Sequence, residues 1–130
     1  MHTFFVPIEG KAKPAGTVFN GRISMNKRGY SEWKALADAS CKYLSGNELP
    51  KGLMPYGWAI VHSNPKWNRG DLLNLAGASM DTMVRLGVVQ DDAPRWVNKL
   101  YTSLDRGNAG ITIYICENRV EFVELLCLLA

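Results

Sequence analysis

Histidine and cysteine are both scarce in this chain. The two histidines, His2 and His62, are too few and too scattered for a His-based metal site or a catalytic triad. The three cysteines, Cys41, Cys116 and Cys127, are odd in number and far apart, with no Cys-x-x-Cys pair. Neither a disulfide framework nor a zinc site is suggested, which fits a reducing compartment. Long apolar runs are missing as well. The opening Met1-His2-Thr3-Phe4-Phe5-Val6-Pro7 is too short for a signal peptide and is soon broken by Pro7 and Glu9. The apolar tail from Phe122 to Ala130 falls well short of a membrane span. A soluble cytoplasmic protein with no membrane partner is expected. Neither sign of charge dominates: 15 basic residues stand against 12 acidic ones, a net charge of +3, which is compatible with nucleic acid without requiring it. No internal repeat, low-complexity block or linker is visible, so residues 1–130 read as one domain with a real core.

What is present centres on Asn68 to Asp92. Asp71 stands where a helix N-cap belongs, apolar residues at helical spacing follow, and Gly87 sits where the helix would stop. The spacing predicts a helix from about Leu72 to Leu86. At about 100° per residue, Leu72, Leu75, Ala76, Ser79, Met83 and Leu86 gather into a core stripe. Asp71, Asn74, Ala78, Asp81 and Arg85 fall on the far edge. A chain folding back through Gly87-Val88-Val89 would bring Asp91 and Asp92 to that same edge.

Such a cluster has a chemical use. Carboxylates within about 4 Å repel by roughly 4 kcal/mol at an effective dielectric of 20, so a cation or basic groups must lie between them. Oxygen ligands without His or Cys suit Mg²⁺ or Mn²⁺, ions that activate water and offset charge on a phosphoryl group. Asp71, Asp81, Asp91 and Asp92 are the candidate ligands, with Asn74 beside them. Taken singly, Asp71 reads as an N-cap, Asp81 as a solvated helix residue and Asp91-Asp92 as a turn; the set, in this order, reads as a site.

Around this stretch the chain alternates strands and helices. Thr3 to Ile8 has strand composition. Basic residues then recur among Gly, Pro and Asn at Lys11, Lys13, Arg22, Lys27 and Arg28, with Phe19 and Tyr30 interleaved. That mixture suits a loop gripping nucleic acid, the cations on phosphates and the rings on bases; the plainer reading is a solvated hairpin. Ser31 is a candidate N-cap for a helix with a stripe of Trp33, Leu36, Ala37, Ser40 and Leu44, closed by Gly46. Asn47 to Tyr56 is a loop, and Gly57 to Ser63 a strand with Trp58, Ile60 and His62 on one side. His62 reads as a sheet residue rather than a ligand. Lys66 and Arg69 directly precede Asp71. Beyond Pro94, Trp96 to Ser103 and Ile111 to Cys116 read as a hairpin across a turn at Asp105 to Gly110. Asn118-Arg119-Val120-Glu121 has capping-box spacing and starts an apolar helix over about 119–129. That helix must be buried in the core or against a partner, with a homodimer contact as the natural suspicion. The sum is an α/β (α+β) chain with a small mixed β-sheet packed with helices.

The order of elements, with Asp71-x-x-Asn74 and Gly87-Val88-Val89-Gln90-Asp91-Asp92 at its most specific part, resembles the RusA family of Holliday junction resolvases, often encoded by phages and prophages. The resemblance covers about Phe4 to Ile115. It implies a small homodimeric endonuclease that binds four-way DNA junctions and cuts them symmetrically with Mg²⁺, in recombination and repair. It carries the first motif Asp onto Asp71, the motif Asn onto Asn74 and the closing pair onto Asp91 and Asp92. Two positions depart from the family's pattern: Leu73 stands where a second Asp is expected, and Gly77 where a lysine is expected. Losing a carboxylate removes a ligand, and losing the lysine removes a cation beside the phosphate. Asn74 and Asp81 can make up the donors, and Lys66 or Arg69 the charge. A chain that kept the fold and its DNA or protein contacts but lost catalysis is the competing expectation.

Overall fold

The computed structural model describes residues 1–12, 17–19, 22–24, 29–66, 72–90 and 99–130, and for 17–19 and 22–24 it describes the backbone. Among these residues the order is β1 (His2–Val6), β2 (Thr17–Phe19), β3 (Arg22–Ser24), α1 (Tyr30–Ser40), β4 (Lys42–Tyr43), β5 (Gly57–Asn64), α2 (Leu72–Arg85), β6 (Leu100–Arg106), β7 (Gly110–Cys116) and α3 (Arg119–Leu129). Five strands form a mixed sheet in the order β4-β1-β7-β5-β6, and β2 and β3 pair separately. The chain is a small mixed α/β fold with three described helices.

β5 is nearly continuous in apolar residues, Gly57-Trp58-Ala59-Ile60-Val61, the pattern of a strand covered on both faces. It runs antiparallel to β7 and parallel to β6. The register aligns Tyr43, Phe4, Ile113, Ile60 and Thr102 in one row across the sheet. On this face Phe4, Val6, Trp58, Ile60, Ile111, Ile113 and Ile115 pack with Tyr30, Trp33 and Ala37 of α1 and Ala76, Ala78 and Met83 of α2. On the other face α3 sets Phe122 and Leu125 against Ala59 and Cys116.

The expected hairpin is corrected here. β6 and β7 do not pair; β5 lies between them. The connection at Gly107 passes over the end of β5, where the Gly107 N–H donates to the Asn64 carbonyl at 3.0 Å. A Cβ on Gly107 would stand 2.7 Å from Ser63 Oγ, so the glycine permits this close crossing. The reason is non-local: β5, apolar and buried over most of its length, takes the central place and is paired on both edges, parallel with β6 and antiparallel with β7.

Three smaller corrections follow. α1 begins at Tyr30 rather than after Ser31, with Gly29 at φ 76° as its cap residue, a backbone region glycine enters without steric cost. It ends at Ser40, because Lys42 and Tyr43 pair with Phe5 and Phe4 as an edge strand, leaving Leu36 and Leu44 exposed instead of in a helical core stripe. Tyr30, expected among the base-stacking rings of the basic loop, is buried and stacks on Trp33 at 5.9 Å. No helix among the described residues is long and apolar enough to cross a membrane.

Candidate functional site

α2 is the element on which the candidate site depends. Its end is a Schellman motif: Gly87 at φ 75° donates its N–H to the Val84 carbonyl, and Val88 donates to Met83, both at 3.0 Å. The buried pair Met83 and Val88 supplies the apolar contact that accompanies this motif. The loop at Lys51 to Leu53 holds the turn, with Gly52 N–H on the Gly87 carbonyl and Leu53 N–H on the Val88 carbonyl.

The stripe facing inward is Leu75, Ala76, Ala78, Ser79, Thr82 and Met83. It is rotated from the expected one, and Ala78 is buried rather than on the acidic edge. The cause is α1: Arg85 forks onto Asp38 with contacts of 2.9 Å, and Thr82 accepts from Arg85, so this flank of α2 is a helix-helix contact. Arg85 is thereby committed to Asp38. The solvent side carries Leu73 and Asn74, with Gly77, Met80, Asp81 and Val84 half-buried. Leu73 is 65% exposed. A Cβ on Gly77 would meet nothing within 4 Å, so the position where a lysine was expected opens to space.

Asn74 and Asp81 share this side but are seven residues apart, a rise of about 10 Å along the axis with side chains leaning the same way. One ion, whose oxygen ligands lie about 2.0–2.6 Å from it, cannot take both. Lys66 is exposed just past β5, and Lys11 is half-buried. Arg22 lies on β3. Asp71, Asp91, Asp92, Lys13, Lys27, Arg28 and Arg69 lie outside the described residues. Of the described residues that flank the acids, Leu72 opens α2, a helix about 21 Å long, and Gln90 lies five residues past its last residue, Arg85. Among the described residues no three His, Cys, Asp or Glu side chains gather to hold a metal ion.

The polar group that sequence periodicity undervalued is a buried one. His62 Nε2 lies 3.3 Å from Ser79 Oγ, which itself donates to the Leu75 carbonyl. Asn64, one step along the same face of β5, is also buried. His62 Nδ1 and Asn64 Oδ1 make no hydrogen bond of good geometry among the described residues. Burial holds the imidazole below its ordinary pKa, while the backbone of Ser103 and Leu75 pulls the other way. The signal was legible in part: Ser79 interrupts the core stripe of α2, and His62 points inward from β5. Thiol chemistry is disfavoured at two of the cysteines. Burial pushes Cys41, beside Asp38, and Cys116, beside Glu121, up to about 11, so both are protonated at neutral pH.

No protein-family model and no curated protein matches the chain.

Proposed function

We propose that the chain is a Mg²⁺-dependent endonuclease of the RusA type, a cytoplasmic homodimer that cuts branched DNA symmetrically. The observation that carries this reading is the run from Asp71 to Asp92, with its Asp-x-x-Asn opening, its capped helix and its closing Asp-Asp. The exposed Asn74 in the first turn of α2 is compatible with it. Asp71, Asp91 and Asp92 would hold Mg²⁺ or Mn²⁺, with Asn74 as the neighbouring carboxamide donor and Asp81, farther along the helix, in a supporting place. The reading requires the chain after Gln90 to run back beside α2 toward Asn74. A divalent ion there supplies charge neutralisation at the phosphoryl group and activation of water. The protein's own cations, Lys11, Lys13, Arg22, Lys27, Arg28, Lys66 and Arg69, neutralise backbone phosphates, so binding weakens steeply with salt. Two-fold symmetry supplies two equivalent sites for paired cuts.

A second reading is favoured by one observation. An exposed leucine at 73, where the family has a carboxylate, fits a RusA-like chain that retains DNA or protein binding without cleavage. The two readings part on a synthetic four-way junction incubated with Mg²⁺, beside linear duplex at matched salt. Paired nicks near the crossover, lost in Asp92→Asn while binding persists, support the nuclease. Tight junction binding without nicks supports the second reading, and normal cutting by Asp92→Asn removes the metal assignment. Equal affinity for junction and duplex removes both and leaves an adaptor for a protein partner.

A further inference from the structure

Symmetric cutting calls for a two-fold partner without fixing where it sits. The outer surface of α3 points to a place, independently of any nuclease activity. α3 buries Phe122 and Leu125 against the sheet. Its opposite side presents Val120 at 66% and Val123 at 47% exposure, with Arg119, Glu124 and Cys127 also exposed. Single exposed valines are ordinary on a protein surface. Here they sit one turn apart, and with Arg119 and Glu124 they line a shallow groove. The rows Arg119-Val123-Cys127 and Val120-Glu124-Leu128 are the i, i+4 ridges that flank such a groove, the shape that accepts a ridge from another helix.

The charges select the occupant. Arg119 and Glu124 stand at opposite ends of the groove with the two valines between them. In an antiparallel pair related by a two-fold axis through the middle of the groove, Arg119 faces the partner's Glu124 and Val120 faces the partner's Val123. Each contact occurs twice, so the surface is complementary to itself. A parallel pair would set Arg119 on Arg119 and Glu124 on Glu124, which is repulsive. Glu121 is engaged by the Met1 ammonium at 2.9 Å and Glu117 by His2, which leaves Arg119 and Glu124 as the charges at the two ends of the valine pair. We infer that α3 is a homodimer interface in which two copies cross antiparallel, valine on valine and Arg119 on the partner's Glu124. A helix about 16 Å long offers less than the roughly 800 Å² per partner of a standard interface, so association depends on concentration.

Sedimentation of the full chain from about 1 to about 200 μM, without DNA or metal, tests this. The wild type is expected to move from monomer to dimer mass across that range. Val123→Glu and Arg119→Glu each weaken association at least about tenfold, and the double variant Arg119→Glu/Glu124→Arg returns it to within about threefold of wild type. All these positions are exposed, so thermal melting should match wild type. A monomer at every concentration, unchanged dimerisation in Val123→Glu, or no recovery in the charge-swapped chain overturns the inference. A chain that dimerises through α3 yet nicks no DNA leaves it standing, and one that nicks while these variants leave its mass unchanged removes it and spares the nuclease reading.

Discussion

The two faces of the five-stranded sheet are built to different standards. On one, α1 and α2 enclose Phe4, Trp58, Ile60 and Ile113, all with no exposed surface. On the other, among the described residues, α3 sets Phe122 and Leu125 over Ala59 and Cys116, with the tyrosines at 56, 101 and 114 half-buried against them. The difference teaches where precision is held and where surface is left over. The closed face supports the helix that carries Asn74 and Asp81, and its turn at Gly87 is fixed by hydrogen bonds from two sides. The thin face ends in an outward row of valines.

The largest effect that separates the faces is a cavity. Ile113→Ala, in the middle of the closed face, is expected to cost about 3–4 kcal/mol, against about 2 kcal/mol for Leu125→Ala at the edge of the thin one; equal losses in urea unfolding would break the comparison. Gly57→Ala comes next. A Cβ there would stand 2.6 Å from the Phe122 ring, so α3 must shift, at about 1–3 kcal/mol. Wild-type stability in this variant would show that α3 docks loosely.

The third effect is a pH dependence seated at His62 on the closed face. The folded state disfavours protonation of His62, so as pH falls below the ordinary value of 6.5 the unfolded chain takes up the proton first. Stability is full above that value and declines from it down to the lowered folded pKa. Thermal melting from pH 7 to pH 5 should fall less steeply in His62→Gln than in wild type, and parallel slopes would contradict a buried neutral imidazole. The smallest effect is a gain: Gly77→Ala fills open space on a helix and should stabilise by about 0.5–1 kcal/mol. A loss at that position would mean that the open side of α2 is covered.

Local patterns carried most of what was legible. The start and stop of α2 followed from Gly87 and the spacing of apolar residues. Asn118 caps α3 as its sequence indicates, accepting from the Glu121 N–H at 2.9 Å, although the Glu121 carboxylate takes the Glu117 N–H instead of the cap's own. What periodicity missed was set by distant partners. Nothing local says that β5 will slip between β6 and β7, because adjacent strands with a short turn have the same composition either way. Nor does it say that two residues, Lys42 and Tyr43, will leave a helical pattern to pair with β1. α2 turned its Ala78 and Thr82 flank inward because α1 packs there, which a single helical wheel cannot contain. For the candidate site, residue types and order were legible from Asp71 to Asp92. The two-turn separation of Asn74 from Asp81 follows from helix rise alone and keeps those two side chains from sharing one ion.

Gel analysis of a synthetic four-way junction incubated with the chain and Mg²⁺ tests the central claim most directly. Paired nicks at the crossover in the wild type, abolished by Asp92→Asn with binding retained, are the predicted result. An intact junction, or nicking that survives loss of the Asp92 carboxylate, would contradict it.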